Sequence, residues 1–323
     1  MIQWATIVRS TSGHVIRKLS GLVLITACST VRQPATDTAQ DSSTLPPRPL
    51  PSSIAARQDT AILVGAGDIA ACELTGARKT AQLLDSIPGI VFVAGDAAYG
   101  SATVPNPFAT CYDSTWGRHK ARTRPVPGNH DYEVTGVPMY FDYFGTQAGP
   151  RPNGYYSFEA GAWHIIALNS NIAMGANSPE YKWFRADLLA HRGQCAMAFM
   201  HHPRWSSGPH EGKERMIPFW ELLAKHGASV MVAGHDHIYE RFRPMNNGGG
   251  VDSARGVREF IVGTGGGGHY ALGAVERGSE VRDDKTYGVL KLTLRPDDYS
   301  WEFIPVRGSS FHDSGTSRCH PLT

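Results

Sequence analysis

The stretch from Ala61 to Asp96 reads AILVGAGDIAACELTGARKTAQLLDSIPGIVFVAGD and indicates the fold class of the chain. Two short apolar runs, at 61–67 and 90–95, have the length and composition of buried strands, and each is followed by an aspartate. Between them, the segment from Thr75 to Ile87 has apolar residues at helical spacing. A strand, a helix and a second strand in this order predict a parallel pair joined by a right-handed crossover.

The rest of the chain continues this alternation of strands and helices. Tyr155–Phe158 and Trp163–Leu168 have the pattern of a hairpin, and the tail from Glu259 to Val306 is mostly strand-like. Further helices and strands are predicted, in chain order, at Pro179–His191, Cys195–Met200, Arg215–His226 and Ser229–Ala233. We therefore expect one α/β domain, over residues 59–323, with either a mixed sheet or two packed sheets.

The residues before this domain have the composition of a targeting segment and a linker. Basic residues precede a short apolar run that ends at Ala27, which predicts a secretory signal over residues 1–27. The run Ile25–Cys28 resembles a bacterial lipobox, so we expect a lipid on Cys28; a plain signal peptide cut nearby is the alternative. Residues 28–58 are rich in Ser, Thr, Pro and Gln and are predicted to form a disordered tether. The protein is therefore expected in the bacterial periplasm, in the outer membrane as a lipoprotein, or at the cell surface.

The charge balance excludes one class of partner. The chain has 31 Lys and Arg against 29 Asp and Glu, a formal net charge of +2, and three of its cations lie in the leader. The exported part is therefore close to neutral. No nucleic-acid partner is expected, because such proteins carry a marked excess of positive charge. Contact with a membrane is expected only through the lipid on Cys28.

The cysteines of the domain are four: Cys72, Cys111, Cys195 and Cys319. An even number in an exported protein permits two disulfides, and four cysteines allow three pairings. We expect Cys72 to pair with Cys111, because both lie in loops after early strands. The spacings fit no zinc-finger pattern.

Polar residues cluster just after five predicted strand ends. In chain order they are Asp68, Asp96 with Tyr99, Asn129-His130-Asp131, His201-His202 and His235-Asp236-His237. Ligands of open α/β sheets bind outside the carboxyl ends of the strands, so we expect these side chains to converge.

The residue types in this set point to metal chemistry. Carboxylate, imidazole, amide oxygen and phenolate together form a ligand set for first-row metals. Seven candidate ligands exceed the needs of one tetrahedral ion but suit two ions that share a bridging carboxylate. Two such ions clamp the attacking and leaving oxygens of an in-line displacement, and a metal-bound hydroxide supplies the nucleophile near neutral pH. The sequence therefore predicts a dinuclear hydrolase.

Five short motifs occur in the same order as in the calcineurin-like metallophosphoesterases, which this chain resembles over roughly Ala61 to Val306. In chain order the motifs are GD, GDxxY, GNHD, H and GHxH. Tyr99, three residues after Asp96, resembles the purple acid phosphatases in particular. Many relatives have a histidine where this chain has Ala70, which cannot bind a metal. The resemblance implies a four-layer α/β/β/α sandwich with two mixed sheets.

The resemblance also assigns the metal ligands. The first metal, expected to be Fe(III), would be held by Asp68, Tyr99 and His237. The second, expected to be Fe(II), Zn or Mn, would be held by Asn129, His201 and His235. Asp96 would bridge the two ions.

Three further residues are expected to take part in catalysis, two of them by contact with the substrate. His130 would donate a hydrogen bond or proton to the phosphate, and Asp131 would orient His130. His210 resembles a substrate-side histidine of the small mammalian-type enzymes.

Alternation along a strand predicts that Asp236 points away from the ligands. Other histidines, among them His164 and His191, are expected to be structural.

The resulting prediction is a secreted acid phosphatase that hydrolyses small phosphomonoesters. A phosphodiesterase or nucleotide hydrolase on the same metal site is the alternative enzyme, and a non-catalytic surface-binding lipoprotein is the alternative of another class. A metallo-β-lactamase-type site expects HxHxDH, which the run after His235 lacks. The run Gly263–Gly268 matches GxGxxG but has no convincing helix after it, so it is expected to be a mobile loop near the site.

Overall fold

The computed structural model describes residues 59–133, 137–210, 212 and 214–323. The predicted signal, the tether and Cys28 lie outside these described residues. Five α-helices are present in them: α1 Gly76–Ser86, α2 His130–Glu133, α3 Pro138–Phe144, α4 Pro179–Ala190 and α5 Ile217–His226. No helix among them is long and apolar enough to cross a membrane.

The strands of the described residues form two sheets. The strands are β1 Ala61–Ala66, β2 Ile90–Ala94, β3 Thr123–Val126, β4 Tyr156–Ala160, β5 Trp163–Ala167, β6 Cys195–Phe199, β7 Val230–Ala233, β8 Tyr239–Phe242, β9 Arg258–Val262, β10 Ser279–Asp283, β11 Gly288–Leu294, β12 Asp298–Pro305 and β13 Asp313–Arg318. The first sheet has the order β13-β12-β11-β1-β2-β3, and the second has the order β10-β8-β9-β7-β6-β5-β4.

Both sheets are mixed. In the first, β1, β2 and β3 run parallel, as the crossover through α1 predicts, and β11 is antiparallel to β1. In the second, β5, β6, β7 and β9 run parallel, with antiparallel strands at both edges. The parallel strands are almost continuously apolar because both of their faces are covered.

Successive side chains along a strand point to opposite faces of the sheet, and this alternation divides the core into layers. Met197 and Phe199 of β6 belong to the core between the sheets, where the ring of Phe199 lies 6.1 Å from that of Phe92. Ala196 and Ala198 face the other way, into a second cluster with Phe184 of α4 and with α5. Helix α1 packs its apolar face on the first sheet. The predicted four-layer sandwich with two mixed sheets is thereby confirmed.

The predicted elements match the observed ones to within a few residues, but some short elements were missed. Helices α2 and α3 and strands β8 and β13 were not predicted, because they are short and have no strong apolar period. Strand β3 was predicted only as the strand end that precedes Asn129. The expected disulfide between Cys72 and Cys111 is present, and the other pair is Cys195 with Cys319.

Candidate metal centre

Three residues of the predicted ligand set have an unusual backbone conformation. Asp68, Asp96 and His235 have φ angles of 61°, 48° and 71°, a region that non-glycine residues rarely adopt. Each follows a glycine and the end of a parallel strand, so the chain turns sharply as it leaves the sheet. Such conformations cost about 1 kcal/mol or more each and persist only where the surrounding structure enforces them.

The first group of predicted ligands consists of Asp68, Tyr99 and His237. The hydroxyl of Tyr99 lies 3.1 Å from Oδ1 of Asp68 and 3.0 Å from Nε2 of His237. The same Nε2 lies 3.2 Å from Oδ1 of Asp68. A phenol oxygen, a carboxylate oxygen and an imidazole nitrogen therefore meet at one point, although they come from three distant loops.

The second group consists of Asn129, His201 and His235. Nε2 of His201 lies 3.0 Å from Oδ1 of Asn129 and 3.2 Å from Nδ1 of His235. Asp96 adjoins this group, because its Oδ2 lies 3.3 Å from Nε2 of His201. One donor atom each from Asp68, Asp96 and His201 lie within 4.8 Å of one another, so the two groups form one cluster. The seven predicted ligands are thus brought together.

Backbone contacts fix the orientation of these ligands. Nδ1 of His237 contacts the carbonyl oxygen of Gly268, and Nδ1 of His201 lies 2.9 Å from that of Ala94. Each contact leaves Nε2 directed toward the cluster, as in metal sites where a backbone carbonyl holds the second ring nitrogen. The amide of His235 also donates to Oδ2 of Asp68 at 2.9 Å.

Glycines allow the loops to approach this closely. A Cβ at Gly128 would lie 2.6 Å from Cγ of Asp96 and closer still to its Oδ1. A Cβ at Gly267 would lie 2.9 Å from the ring of His237. The run Gly263–Gly268, expected near the site, does border it through the contact of Gly268 with His237. A Cβ at Gly263, Gly265, Gly266 or Gly267 would meet another atom at less than 3 Å, so close packing accounts for these four glycines.

Burial and mutual charge shift the pKa values in the cluster. Burial, followed by the carboxylates of Asp68 and Asp96, raises the pKa of Tyr99 well above its usual value. Burial alone would lower the pKa of His201, but Asp96 and Asp68 raise it to about 9. Burial and Asp96 raise the pKa of Asp131 to about 7. Buried carboxylates of this kind need compensating positive charge, and a tyrosinate here needs a strongly charged cation.

The donor set fits divalent and trivalent first-row metals. Asp68, Asp96 and His201 are almost fully buried, at 0%, 1% and 0% exposure, while His235 and Asn129 are partly open to solvent. Anionic oxygens and imidazole nitrogens converge at a cluster whose Asn129 and His235 are accessible to solvent, which suits a metal site that must also admit a substrate.

The predicted relation between Asp131 and His130 is not what the structure contains. Nδ1 of His130 pairs with Oε2 of Glu133 at 2.7 Å, one helical turn along α2. Asp131 instead accepts hydrogen bonds from the amides of Gly128 at 2.8 Å and Ala97 at 3.4 Å. Asp131 therefore holds the GNHD loop against the loop of Asp96, and Glu133 orients the ring of His130. Glu133 was not predicted, and its only signal in the sequence is its i, i+3 spacing from His130.

His210 does reach the site. Its ring lies 4.5 Å from that of His235, and its Nδ1 is 2.9 Å from Oδ1 of Asp236. Asp236 points away from the metal ligands, as predicted, but it is fully buried and also accepts from Ser206 at 2.5 Å. Asp236 thereby positions His210, a role that no feature of the sequence indicates.

Tyr270 and His202 are aromatic residues next to the predicted ligands. Tyr270 was not predicted, and its ring stacks on His237 at 4.1 Å with an interplanar angle of 14°. His202, next to the ligand His201, bonds instead to Ser170 at 2.8 Å, as expected if only one of the adjacent histidines faces the metals. No sequence signal marked Tyr270, because it lies in an irregular loop far along the chain.

Comparison with known proteins agrees with this geometry. The family model described as calcineurin-like phosphoesterase matches residues 65–239, more than half of the chain. Purple acid phosphatase 18 of Arabidopsis thaliana is 33% identical over 147 residues, which are 40% of this chain and 33% of that protein. Fe(3+)-Zn(2+) purple acid phosphatase 12 of the same plant is 27% identical over 180 residues, which are 49% of this chain and 38% of that protein.

A solved structure of a purple acid phosphatase from yellow lupin seeds superposes with a TM-score of 0.64 at 19% identity. The match covers 80% of this chain and 53% of that one, and it supports the fold. The alignments with the two plant relatives span less than half of their lengths.

Proposed function

The chain belongs to the calcineurin-like phosphoesterase family, and from this premise we propose that it is a phosphatase similar to the purple acid phosphatases. Its substrates would be small phosphomonoesters. The observation that carries the proposal is the convergence of seven ligand side chains, Tyr99 among them, at one end of the sheets. A fold retained only for binding would not need two buried carboxylates held in strained conformations at this point.

The two groups of ligands would hold two metal ions. Asp68, Tyr99 and His237 would hold Fe(III), because a phenol with a raised pKa ionises only against a strongly charged cation. Asn129, His201 and His235 would hold Fe(II), Zn or Mn, with Asp96 between the two groups. The relative named as an Fe(3+)-Zn(2+) enzyme supports this assignment. When bound, such ions supply Lewis-acid chemistry, lowering the pKa of a water molecule and neutralising charge on the phosphate.

The chain's own residues would position the ester and move the proton. His130 and His210 have side chains 38% and 40% exposed, in contrast to the buried ligands, so they can reach a phosphate that enters from solvent. With Nδ1 of His210 held by Asp236, Nε2 is the atom that would deliver a proton to the leaving alkoxide. His130, oriented by Glu133, would donate to a phosphate oxygen. No covalent phosphoenzyme is required.

We also propose that the protein is exported and lipid-anchored at Cys28, in the bacterial periplasm, the outer membrane or at the cell surface. Two disulfides in the domain support an oxidising compartment. Its expected partners are the small phosphate ester and, through the lipid alone, the membrane.

The test combines elemental analysis with turnover of two model esters. The purified chain should contain two metal ions per molecule and hydrolyse p-nitrophenyl phosphate. Asp96→Ala should abolish turnover and the binding of the second ion, because it removes the carboxylate between the two groups. Asp142→Ala is the matched control, since that carboxylate is 66% exposed and pairs only with Arg151 among the described residues.

Three outcomes separate the candidate functions. Faster hydrolysis of the monoester than of bis(p-nitrophenyl) phosphate supports a phosphomonoesterase, and the reverse preference indicates a phosphodiesterase. A protein that retains no metal and hydrolyses neither ester would contradict the proposal and favour a binding role. Retained turnover in Asp96→Ala would show that Asp96 has been misassigned.

A further inference from the structure

The chain segment that carries His210 lies over buried carboxylates. This segment, residues 204–210, is called the histidine loop; it is buried or half-buried except for its last two residues, which are exposed. Besides Asp236, the loop contacts Glu240 of β8 and Glu259 of β9, and both of these side chains are fully buried. A buried carboxylate is costly unless hydrogen bonds replace its lost water, so the donors that face these two residues are informative.

Glu240 and Glu259 point to the same face of the seven-stranded sheet. Strands β8 and β9 are antiparallel, and Glu240 opposes Ile261, two residues from Glu259. Side chains two residues apart on a strand share a face, so the two carboxylates are neighbours. Ile261 belongs to the apolar cluster with α4 and α5, on the side of the sheet away from the core between the sheets. The histidine loop therefore covers this outer face at β8 and β9.

Ser207 is the residue through which Glu240 holds the loop. The amide and the hydroxyl of Ser207 both donate to Glu240, at 2.8 and 2.6 Å. The same hydroxyl accepts from the amide of Glu276 at 2.8 Å, and the carbonyl oxygen of Ser207 accepts from the amide of Gly273 at 2.7 Å. Ser279 also donates to Glu240, at 2.5 Å. Glu240 therefore joins the histidine loop to a second segment of the chain.

Glu259 and Asp236 fix the two ends of the loop. The two oxygens of Glu259 accept from the amides of Arg204 at 2.7 Å and Trp205 at 3.0 Å. At the other end, the amide and Nδ1 of His210 lie 3.1 and 2.9 Å from Oδ1 of Asp236. Three buried carboxylates therefore hold the loop at its beginning, its middle and its end.

From these contacts we propose that Glu240 and Glu259 are positioning residues for proton delivery to the leaving group. The role rests on the proposed phosphatase function, in which the Nε2 proton of His210 passes to the alkoxide oxygen as the P–O bond breaks, and His210 then regains a proton from water. A proton donor must lie within about 2.6–3.2 Å of the atom that it protonates. A shift of the loop by about 1 Å is therefore enough to slow the transfer.

Two esters separate this role from a general loss of stability. Glu240→Ala should lower kcat/KM for an alkyl phosphate by at least about 10-fold and for p-nitrophenyl phosphate by less than about threefold, because p-nitrophenolate leaves without a proton. Asp313→Ala is the matched control, since it removes a buried carboxylate that bonds to Tyr239 and Arg241 on the opposite face of β8. The control should lower the melting temperature and leave the ratio of the two rates unchanged. Equal losses for the two esters in Glu240→Ala would refute the positioning role.

Replacement by glutamine should have opposite results at the two carboxylates. Two of the three donors to Glu240 are hydroxyls, which accept as well as donate, so Glu240→Gln should largely retain the alkyl phosphate rate. Both donors to Glu259 are backbone N–H groups, which cannot accept, so Glu259→Gln sets its own amide N–H against one of them. Glu259→Gln should therefore show the same selective loss as Glu240→Ala. An alkyl phosphate rate in Glu259→Gln as high as in Glu240→Gln would contradict the role of Glu259.

Two further measurements test whether the carboxylates act through His210. In a His210→Ala background, Glu240→Ala should lower the alkyl phosphate rate no more than the p-nitrophenyl phosphate rate, because the proton donor is already absent. A selective loss that persists in that background would refute the inference. A crystal structure of Glu240→Ala should show His210 displaced from its place beside Asp236, and an unmoved His210 would also refute it. Failure of the phosphatase proposal is distinguishable, because the wild type would then hydrolyse neither ester, and that result would overturn both proposals.

Discussion

Replacing Gly128 by alanine tests the placement of the central carboxylate without removing any predicted ligand. Neither Gly128 nor the control position Gly175 has a positive φ, so alanine suits the backbone at both. The added Cβ at residue 128 would lie 2.6 Å from Cγ of Asp96 and closer still to its Oδ1 and its backbone nitrogen, whereas an ordinary contact is 3.4–4 Å. The backbone at Asp96, or the loop that carries Asn129 and His130, must therefore move by at least about 1 Å.

The size of the effect follows from that displacement. A misplacement of about 1 Å in a catalytic group reduces rates by about 100-fold, which corresponds to about 2.7 kcal/mol in the activation barrier. The same displacement separates Asp96 from His201, so we expect the second metal to bind more weakly. Overpacking of this kind also destabilises a fold by about 1–3 kcal/mol, so Gly128→Ala should still fold.

The assay measures kcat/KM for p-nitrophenyl phosphate, bound metal and the melting temperature in parallel. Gly175→Ala is the control, because a Cβ there meets no atom within 4 Å and the residue is exposed. Gly175→Ala should match the wild type. If Gly128→Ala retains both metals and a kcat/KM within about threefold of the wild type, then Asp96 is not packed against Gly128 and its position between the two ligand groups is wrong.

Three further substitutions probe single features of the site and the core. Tyr99→Phe should remove the visible charge-transfer band of the iron-loaded protein, whereas the control Tyr270→Phe should keep it. A colourless oxidised wild type would contradict the ferric assignment. Asp236→Asn should slow hydrolysis of an alkyl phosphate by about 100-fold and hydrolysis of p-nitrophenyl phosphate much less. The reason is that only the alkoxide leaving group needs a proton from His210, which Asp236 holds in place. Equal losses of rate with the two esters would count against proton donation by His210. Glu180 is fully buried, and burial raises its pKa from 4.5 to about 8, so the folded state retains a proton that the unfolded chain releases. The free energy of unfolding should therefore fall as the pH rises from about 4.5 to 8, and Glu180→Gln should flatten this trend in melting curves; identical pH profiles would show that Glu180 is not responsible.

Local patterns were sufficient for the framework, and together with the family resemblance they supplied the set of candidate ligands. The apolar runs before Asp68 and Asp96 predict parallel strands because burial on both faces requires continuous apolar sequence. Parallel strands place their carboxyl ends at one edge, so residues that follow them must converge even though no contact is visible in the sequence. The choice of His201 over His202 followed from the alternation of side chains along a strand, together with the family resemblance.

The partners of the ligands were decided only by the tertiary structure. Asp236 reaches His210 across 26 residues and Tyr270 stacks on His237 across 33, and contacts between irregular loops leave no periodic signal in the sequence. His164 illustrates the same limit. Its place in an apolar strand predicts burial, but only the packing of α4 against the hairpin brings His191 and Asp187 to its ring. Periodicity along one element determines which face a residue occupies, whereas the group it meets depends on how separate elements pack together.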